Sequence, residues 1–577
     1  MTMMSEQAVD LDTCSPQDLG LPAHFTAFRD IQRQAGAFAL WGPEGRDGDQ
    51  AMLDADDRER ATERRRFVCE SIPPGGGKSL LAHAIGKLYG QKYVCLTATR
   101  ALEDQQVYKD KFQLTNIRGR ANYQCADFDP LHPDKRWDCA KGEDEDCRMY
   151  GSPNCTYGGM AHLAKLDSAV LTNYMYWMNV RSRGIGALES KQSGAVGLLI
   201  CDEAHLAMGE LARFLGVWVS WEDLHRYANE KSRAALRAGK GADWGRVNAL
   251  WLDALGDAWT AASAALDELT DEHVSAAAAR RNSSTVRRLM KVIGSLERVV
   301  SHGEDGNWIW RQTRNGVSFD CMWPGKYAER YLWSGVPNIV LMSATLRPKA
   351  VRMLGVGQGK QWFREWPRVF PAALGPVWWV PTGRMGWKET EQEKLKSVAL
   401  FDRMCEYWLG LGHKGLLHTV SFERMRWYQE HSKYARYLEC AEDKPGGAMK
   451  AFDKHAAATG LSVLAGPSYM AGWDFKYDLA RWQLIPKIPF ASKSDPVVLS
   501  RMEADSDYYD YDAMQSLVQA AGRINRDFDD WGVTVVSDDA VMPFMARARQ
   551  HAPRWFSVKK WTGPSGSVPG IPKGVNA

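Results

Sequence analysis

Ser71-Ile72-Pro73-Pro74-Gly75-Gly76-Gly77-Lys78-Ser79 lies between a short apolar run at 66–72 and a stretch at 80–88 with helical spacing, closed by Gly90. Strand, glycine-rich turn, Lys-Ser and helix, in that order, make a loop that cradles phosphate. Glycines let backbone N–H groups approach phosphate oxygens, and the helix N-terminus adds partial positive charge. Pro74, Gly75, Gly76 and Gly77 would form the turn, Lys78 would reach the β- and γ-phosphates, and the Ser79 hydroxyl would ligate Mg²⁺. Ile72 stands where the usual pattern has its first glycine. The bland alternative, a glycine-rich turn before an ordinary helix, leaves the Gly-Lys-Ser run unexplained.

Outward from this loop, apolar β-branched runs recur at 93–97, 169–172, 196–201, 339–342, 415–419, 482–485 and 533–536, with helical stretches between them. That rhythm predicts parallel sheets covered on both faces. The strands are too many for one small sheet, so two doubly wound α/β domains are expected. Two segments break the rhythm. Residues 116–160 hold four cysteines, many charges and several turns. Residues 206–330 read as helical, with apolar positions at three- and four-residue spacing over 221–238, 244–270 and 284–302. Both read as insertions into the first domain. Residues 1–60 are polar and read as loosely ordered except near 25–34, and the Gly/Pro/Ser-rich tail 562–577 reads as disordered.

The bulk composition sets bounds. At 577 residues the chain is too long for one core, and about three or four domains are expected. Hydrophobic and charged contents of 45% and 25% are those of a globular protein, and a net charge of +3 neither requires nor excludes a nucleic-acid groove. No window supplies the apolar length of a membrane span, and the first residues lack a secretory pattern. Eleven cysteines without such a signal argue against a disulfide scaffold. A cytoplasmic location, in a bacterium or a phage-infected host, is expected.

Leu198-Leu199-Ile200-Cys201-Asp202-Glu203-Ala204-His205 brings two carboxylates to the C-terminal end of an apolar strand, where ligands sit in open α/β sheets. Asp202 would hold Mg²⁺ through water, and Glu203 would orient and deprotonate an attacking water. Asp202–His205 spells the DEAH box, and here the chain resembles superfamily 2 helicases. Further motifs follow in order. Leu96-Thr97-Ala98-Thr99-Arg100-Ala101-Leu102 resembles motif Ia, Met342-Ser343-Ala344-Thr345-Leu346 resembles motif III, and Gln519-Ala520-Ala521-Gly522-Arg523-Ile524-Asn525-Arg526 resembles motif VI. The resemblance implies strand contact or coupling for Thr97, Thr99, Ser343 and Thr345, and catalytic roles for Gln519, Arg523 and Arg526. The two arginines are three apart on an expected helix, so they would share a face and act as arginine fingers.

The resemblance narrows to the XPD/DinG-like branch over most of 25–540. Leu416-Leu417-His418-Thr419-Val420-Ser421 is similar to its motif IV, which implies strand contacts at Thr419 and Ser421. Gly472-Trp473-Asp474, followed by 484–490, is similar to its motif V, with Asp474 in the nucleotide site. Phe28-Arg29-Asp30-Ile31-Gln32 is similar to its adenine-reading motif, with Gln32 as the hydrogen-bonding residue. In that branch an iron–sulfur domain and a helical arch interrupt the first domain where this chain is interrupted.

The cysteines are spaced Cys125-x13-Cys139-x7-Cys147-x7-Cys155. Four thiolates suit a [4Fe–4S] cluster or a structural Zn²⁺, and a metal-free degenerate domain stays open. The absence of close C-x(2–4)-C pairs and the family context favour the cluster.

The expected organisation is a first RecA-like domain over 1–115, 163–205 and 331–360, a cysteine-rich insertion at 116–162, a helical arch at 206–330, a second domain at 361–561 and the tail. The expected activity is ATP- and Mg²⁺-dependent DNA unwinding, moving 5′→3′ on single-stranded or tailed duplex DNA as the family implies. The alternative is a DNA-stimulated translocase that remodels nucleoprotein complexes, with the arch docking protein partners. A monomer with no membrane attachment is expected.

Overall fold

The computed structural model describes residues 11, 13–43, 65–125, 139, 154–182, 188–190, 192–239, 242–270, 283–303, 306–386, 388–470, 472–572 and 575. The chain first forms β1 (Phe67–Ser71), β2 (Tyr93–Thr97), β3 (Thr115–Asn116), β4 (Ala169–Asn173) and β5 (Leu198–Cys201). It continues with β6 (Val217–Ser220), β7 (Trp244–Arg246), β8 (Trp308–Thr313), β9 (Gly316–Cys321), β10 (Asn338–Ser343) and β11 (Gln361–Glu365). Seven of these make a sheet in the order β11-β1-β10-β5-β2-β4-β3, and every pairing in it is parallel. Alternation explains its burial on both faces. Val94, Leu96, Leu199, Cys201, Ile339 and Leu341 enter one apolar core, while Cys95, Leu198, Ile200, Val340 and Met342 enter the other.

The second sheet contains β12 (Val377–Gly383), β13 (Gly415–Leu417), β14 (Leu438–Cys440), β15 (Val463–Ala465), β16 (Trp482–Ile485), β17 (Val533–Asp538) and β18 (Lys559–Lys560). Its order is β14-β15-β13-β16-β17-β12-β18, again with parallel pairings throughout. In both sheets the C-terminal strand ends carry the motifs.

Four expectations need correction. First, 206–330 is not wholly helical. It holds an antiparallel sheet, β6-β9-β8-β7, beside the helices Ala249–Thr270 and Ser283–His302. Trp244–Arg246, expected at the start of a helix, is a strand. Second, the first sheet runs past residue 360, because β11 pairs with β1 from Gln361. Third, the described part of 562–577 is packed: Val568, Ile571 and Val575 lie against the core of the second sheet, and Trp561 meets Trp378 edge to face at 5.4 Å. Apolar residues between the glycines and prolines provide that anchor. Fourth, Leu11, Cys14, Leu21 and Phe28 are buried with the Asp30–Trp41 helix, so order begins well before residue 25. Within 1–60, the residues other than 11 and 13–43 lie outside the described residues. Among the described residues, no helix is long and apolar enough to cross a membrane.

Candidate functional site

The phosphate loop leaves β1 and enters the helix Lys78–Tyr89. Gly75 and Gly77 have φ of 74° and 72°, the left-handed region that glycine adopts without penalty. Gly77 caps the helix without a side chain, so the first helical N–H groups have no side-chain acceptor at the cap. Ile72 is fully buried and donates its N–H to Ser343 O at 3.0 Å. A Cβ on Gly76 would lie 2.5 Å from Ile72 Cγ2. The missing first glycine is thus offset: Ile72 fills the space under the loop, and Gly76 leaves room for it.

Gln32 lies beside this loop. It is 2% exposed, its Nε2 donates to Gly77 O at 3.0 Å, and its Oε1 accepts from Arg29 N at 2.8 Å. The amide therefore braces the phosphate loop and closes the N-terminus of the Asp30–Trp41 helix. Arg29, which the sequence reading did not single out, donates to Gly75 O, pairs with Asp527 at 3.2 Å and stacks on Phe528 at 4.9 Å. It ties the loop to the second sheet's domain.

The acidic pair follows β5. Asp202 N donates to Leu96 O at 2.9 Å, and Tyr174 Oη donates to Asp202 O at 3.0 Å, which fixes the turn. Glu203 has φ of 49°, a strained left-handed conformation for a residue with a Cβ. Burial, and then the charge of Glu203, push the Asp202 carboxyl up to about 7 despite Lys78. Burial would raise Glu203 too, but Lys78 and His205, with Arg523 beyond, hold it well below the usual carboxylate range. Lys78 and His205 thus favour a negative charge on Glu203, at the side of the pair nearest the second domain's arginine.

From Glu203 a hydrogen-bond chain crosses to the other domain. Ser343 Oγ donates to Glu203 Oε2 at 3.2 Å and accepts from Thr345 N at 3.2 Å, and it lies 2.7 Å from His205 Nδ1. Thr345 Oγ1 accepts from Gln519 Nε2 at 2.8 Å, and Gln519 Oε1 accepts from Arg523 Nη2 at 2.6 Å. All these links are buried or half-buried, where an unmade partner is costly.

The arginines do not share a helix. Helix Tyr508–Ala521 ends at Gly522, and Asn525 turns left-handed with φ of 61°, so Arg523 and Arg526 lie on the turn beyond. Arg523 donates to Trp473 O at 2.6 Å and to Met470 O at 3.1 Å. Burial and the neighbouring Arg526 push it down to about 10, while Glu203 across the cleft opposes this. Arg526 is paired with Asp474 at 2.9 Å. Asp474 stays below its ordinary range: burial raises it, but Arg526 and Lys476 outweigh that.

The strand-contact residues divide. Thr97 and Thr419 are fully buried and present no hydroxyl to a strand, which corrects that expectation: Thr97 ends β2, and Thr419 lies two residues beyond the end of β13. Thr99 is half-buried, and its Oγ1 accepts from Leu102 N at 3.4 Å. Ser421 is exposed and caps the helix Phe422–His431.

In the cysteine segment, Cys125, Cys139 and Cys155 are buried, and Cys147 lies outside the described residues. The Cys139 thiol is pushed up to about 11, by burial first and then by contact with Cys155, with Cys125 in range. Cys155 caps the helix Thr156–Leu166, its sulfur accepting from Gly158 N at 3.4 Å. Among the described residues, no three His, Cys, Asp or Glu side chains stand in metal-holding geometry.

The helicase C-terminal domain family matches residues 406–558, the part that contains motifs IV to VI. Two solved structures share the fold: an XPD helicase, with a TM-score of 0.57 and 14% identity over 92% of this chain and 99% of that one, and S. tokodaii Xpd4, with 0.52 and 13% over 92% and 100%. The fold is like that of the XPD helicases. The ATP-dependent DNA helicase YoaA of Escherichia coli (strain K12) is 35% identical over 88 residues, 14% of either protein. The yeast (Saccharomyces cerevisiae) general transcription and DNA repair factor IIH helicase subunit XPD/RAD3 is 30% identical over 116 residues, 19% of this chain and 14% of that one. The chain therefore matches 14% of the length of these curated relatives. At these identities the structural likeness speaks for the XPD-like fold alone.

Proposed function

We propose that this chain is an ATP-dependent DNA helicase or translocase that moves 5′→3′ on single-stranded DNA. The observation that carries the reading is the hydrogen-bond chain from Glu203 through Ser343, Thr345 and Gln519 to Arg523, which joins the acidic turn after β5 on one sheet to an arginine on the other. ATP would lie between the sheets. The uncapped N–H groups after Gly77 and the Lys78 ammonium would hold its phosphates. Ser79 and Asp202, hard oxygen donors, suit Mg²⁺, which when bound would neutralise phosphate charge. Glu203, ionised and braced by Ser343, would accept the proton of the water whose oxygen attacks the γ-phosphorus as the bond to the β-phosphate oxygen breaks. Arg523 faces Glu203 and would stabilise the charge spread over the transferring phosphoryl group. Asp474 would hold Arg526 until nucleotide competes for it. Because the arginines come from the second domain, hydrolysis would depend on closure, and closure would move the strand.

Buried thiols in contact suit a thiolate-held group. Cys125, Cys139, Cys147 and Cys155 would hold a [4Fe–4S] cluster that stiffens the insertion beside the strand path. Protein prepared without oxygen should be brown, with roughly four iron and four sulfide per chain; colourless protein with stoichiometric zinc would replace the cluster by zinc. Strand contacts would fall mainly on the DNA backbone, giving sequence-tolerant, salt-sensitive binding.

Strand displacement from 5′- and 3′-tailed duplexes, with ATP consumption recorded, tests the reading. Unwinding of the 5′-tailed substrate alone is expected. Hydrolysis with no displacement from either substrate would select the remodelling translocase instead.

A further inference from the structure

Helix Tyr508–Ala521 spans the distance between the nucleotide cleft and the inserted segment. At its C-terminal end Gln519 bonds Thr345, and Arg523 and Arg526 follow. Its other end is set into the root of the insertion. Tyr508 and Tyr511 are buried in the same apolar core as Phe319 and Cys321 of β9. Tyr508 meets Trp323 edge to face, with ring centroids 5.7 Å apart at 88°.

Arg501, on the preceding helix Pro496–Ala504, locks this seam. It is 9% exposed, its Nε donates to Met322 O at 2.7 Å, and its Nη1 donates to Tyr508 Oη at 2.9 Å. Lys349–Asp505, at 2.7 Å, flanks it. The gripped residues are themselves held. Met322 N donates to Asn307 O and Trp323 N to Asn307 Oδ1, both at 2.8 Å, and Asn307 Nδ2 returns a bond to Trp323 O at 2.9 Å. Asn307 precedes β8 and Met322 follows β9, so Arg501 holds the open end of the β8–β9 hairpin.

A 14-residue α-helix is a stiff rod about 20 Å long. We propose that this helix is a mechanical link that carries domain closure at the nucleotide into the inserted segment, with Arg501 as the positioning residue at its far end. When the arginine end follows the γ-phosphate, the Tyr508 end moves with it. A buried guanidinium bonded to a carbonyl is costly to unpair, so the seam shifts as a unit and takes the antiparallel sheet along. The inserted segment would then change position once per ATP cycle, although no described motif residue lies in it. The inference rests on the ATPase reading above.

Hydrogen exchange on the full chain, with and without a non-hydrolysable ATP analogue, tests it. In the wild type the analogue should slow exchange at 75–79 and also change it at 316–323. In Arg501→Ala the change at 75–79 should persist and that at 316–323 should vanish; Arg501→Lys, which still has a donor, should recover part of it. In the same variants, Arg501→Ala should keep DNA-stimulated hydrolysis within about twofold while displacement or translocation per ATP falls by about fivefold or more, the scale of one buried charge-assisted hydrogen bond. An unchanged 316–323 in the wild type, or an equal response in Arg501→Ala, would overturn the link and leave the ATP site standing. No response at 75–79 would overturn the ATP site, and the link with it.

Discussion

The two parallel sheets are built alike and differ at the turn that follows an interior strand of each. After β1 comes a turn with Gly75 and Gly77 left-handed, opening a helix whose first N–H groups have no side-chain cap. After β13 comes His418-Thr419-Val420-Ser421, where Val420 takes φ of 64° without being glycine and Ser421 Oγ accepts from Arg424 N at 3.2 Å. The first helix reserves its N-terminal donors for a ligand; the second satisfies one of them itself. One architecture thus yields a turn with open backbone donors on one side, the proposed phosphate cradle. On the other it yields a scaffold whose contribution to the cleft comes from elsewhere, from Gln519 to Arg526.

That asymmetry can be broken most completely at Lys78. Lys78→Ala should abolish DNA-stimulated ATP hydrolysis in purified protein; a variant that hydrolyses normally would return the cradle to the status of an ordinary turn. Next in size, Arg523→Ala should lower the rate constant for hydrolysis on the order of 10³-fold with a smaller effect on ATP binding. Arg526→Ala should cost less than Arg523→Ala, since Arg526 is paired to Asp474 while Arg523 faces Glu203. Equal losses would mean that both act at the phosphate.

A subtler contrast concerns acid. His83 near the first sheet and His418 and His455 in the second domain are each pushed down to about 4, chiefly by burial. A histidine whose pKa is depressed by folding stays neutral in the native state and gains its proton on unfolding. Its contribution is intact above about 6.5 and is lost as pH falls toward about 4. His413 and His551, also in the second domain, are lowered in the same direction by burial, so that domain should lose more stability than the first as pH falls from 7 to 5. Domain-resolved hydrogen exchange between pH 7 and 5 should show it opening first; simultaneous opening would remove the distinction. The smallest effect belongs to the bond that joins the halves. Gln519→Ala and Thr345→Val should each slow hydrolysis by about tenfold, and the double variant by little more than either alone. Fully additive losses would show that the two side chains act separately.

The cradle and the acidic strand are legible in the sequence because their chemistry is local: Gly75–Gly77, Lys78 and Asp202–Glu203 lie within a few residues of the strands that place them. The arginine turn is only half legible. Motif VI identifies Arg523 and Arg526, but Gly522 and the left-handed Asn525 end the helix that spacing alone would continue. Arg29 and the role of Gln32 depend on which backbone carbonyls lie opposite, which no spacing encodes. The antiparallel sheet in the insertion did leave a trace. Asn315-Gly316 marks the turn between β8 and β9, and Val317, Phe319 and Cys321 are buried in alternation with Ser318 and Asp320. The long helical patterns on either side masked it.

Finally, β6 and β9 pair antiparallel, with Val217 opposite Phe319 and Ser220 opposite Gly316. The segment between residues 206 and 330 therefore leaves its host and returns to it at one place, side by side. To the first sheet it is topologically a short loop, whatever its length. A module attached in this way can grow, shrink or be exchanged over evolutionary time without disturbing the order of strands beneath it, because loop closure depends only weakly on loop length. The plug-like attachment makes the inserted segment a place where proteins of this architecture can diverge while the two parallel sheets stay the same.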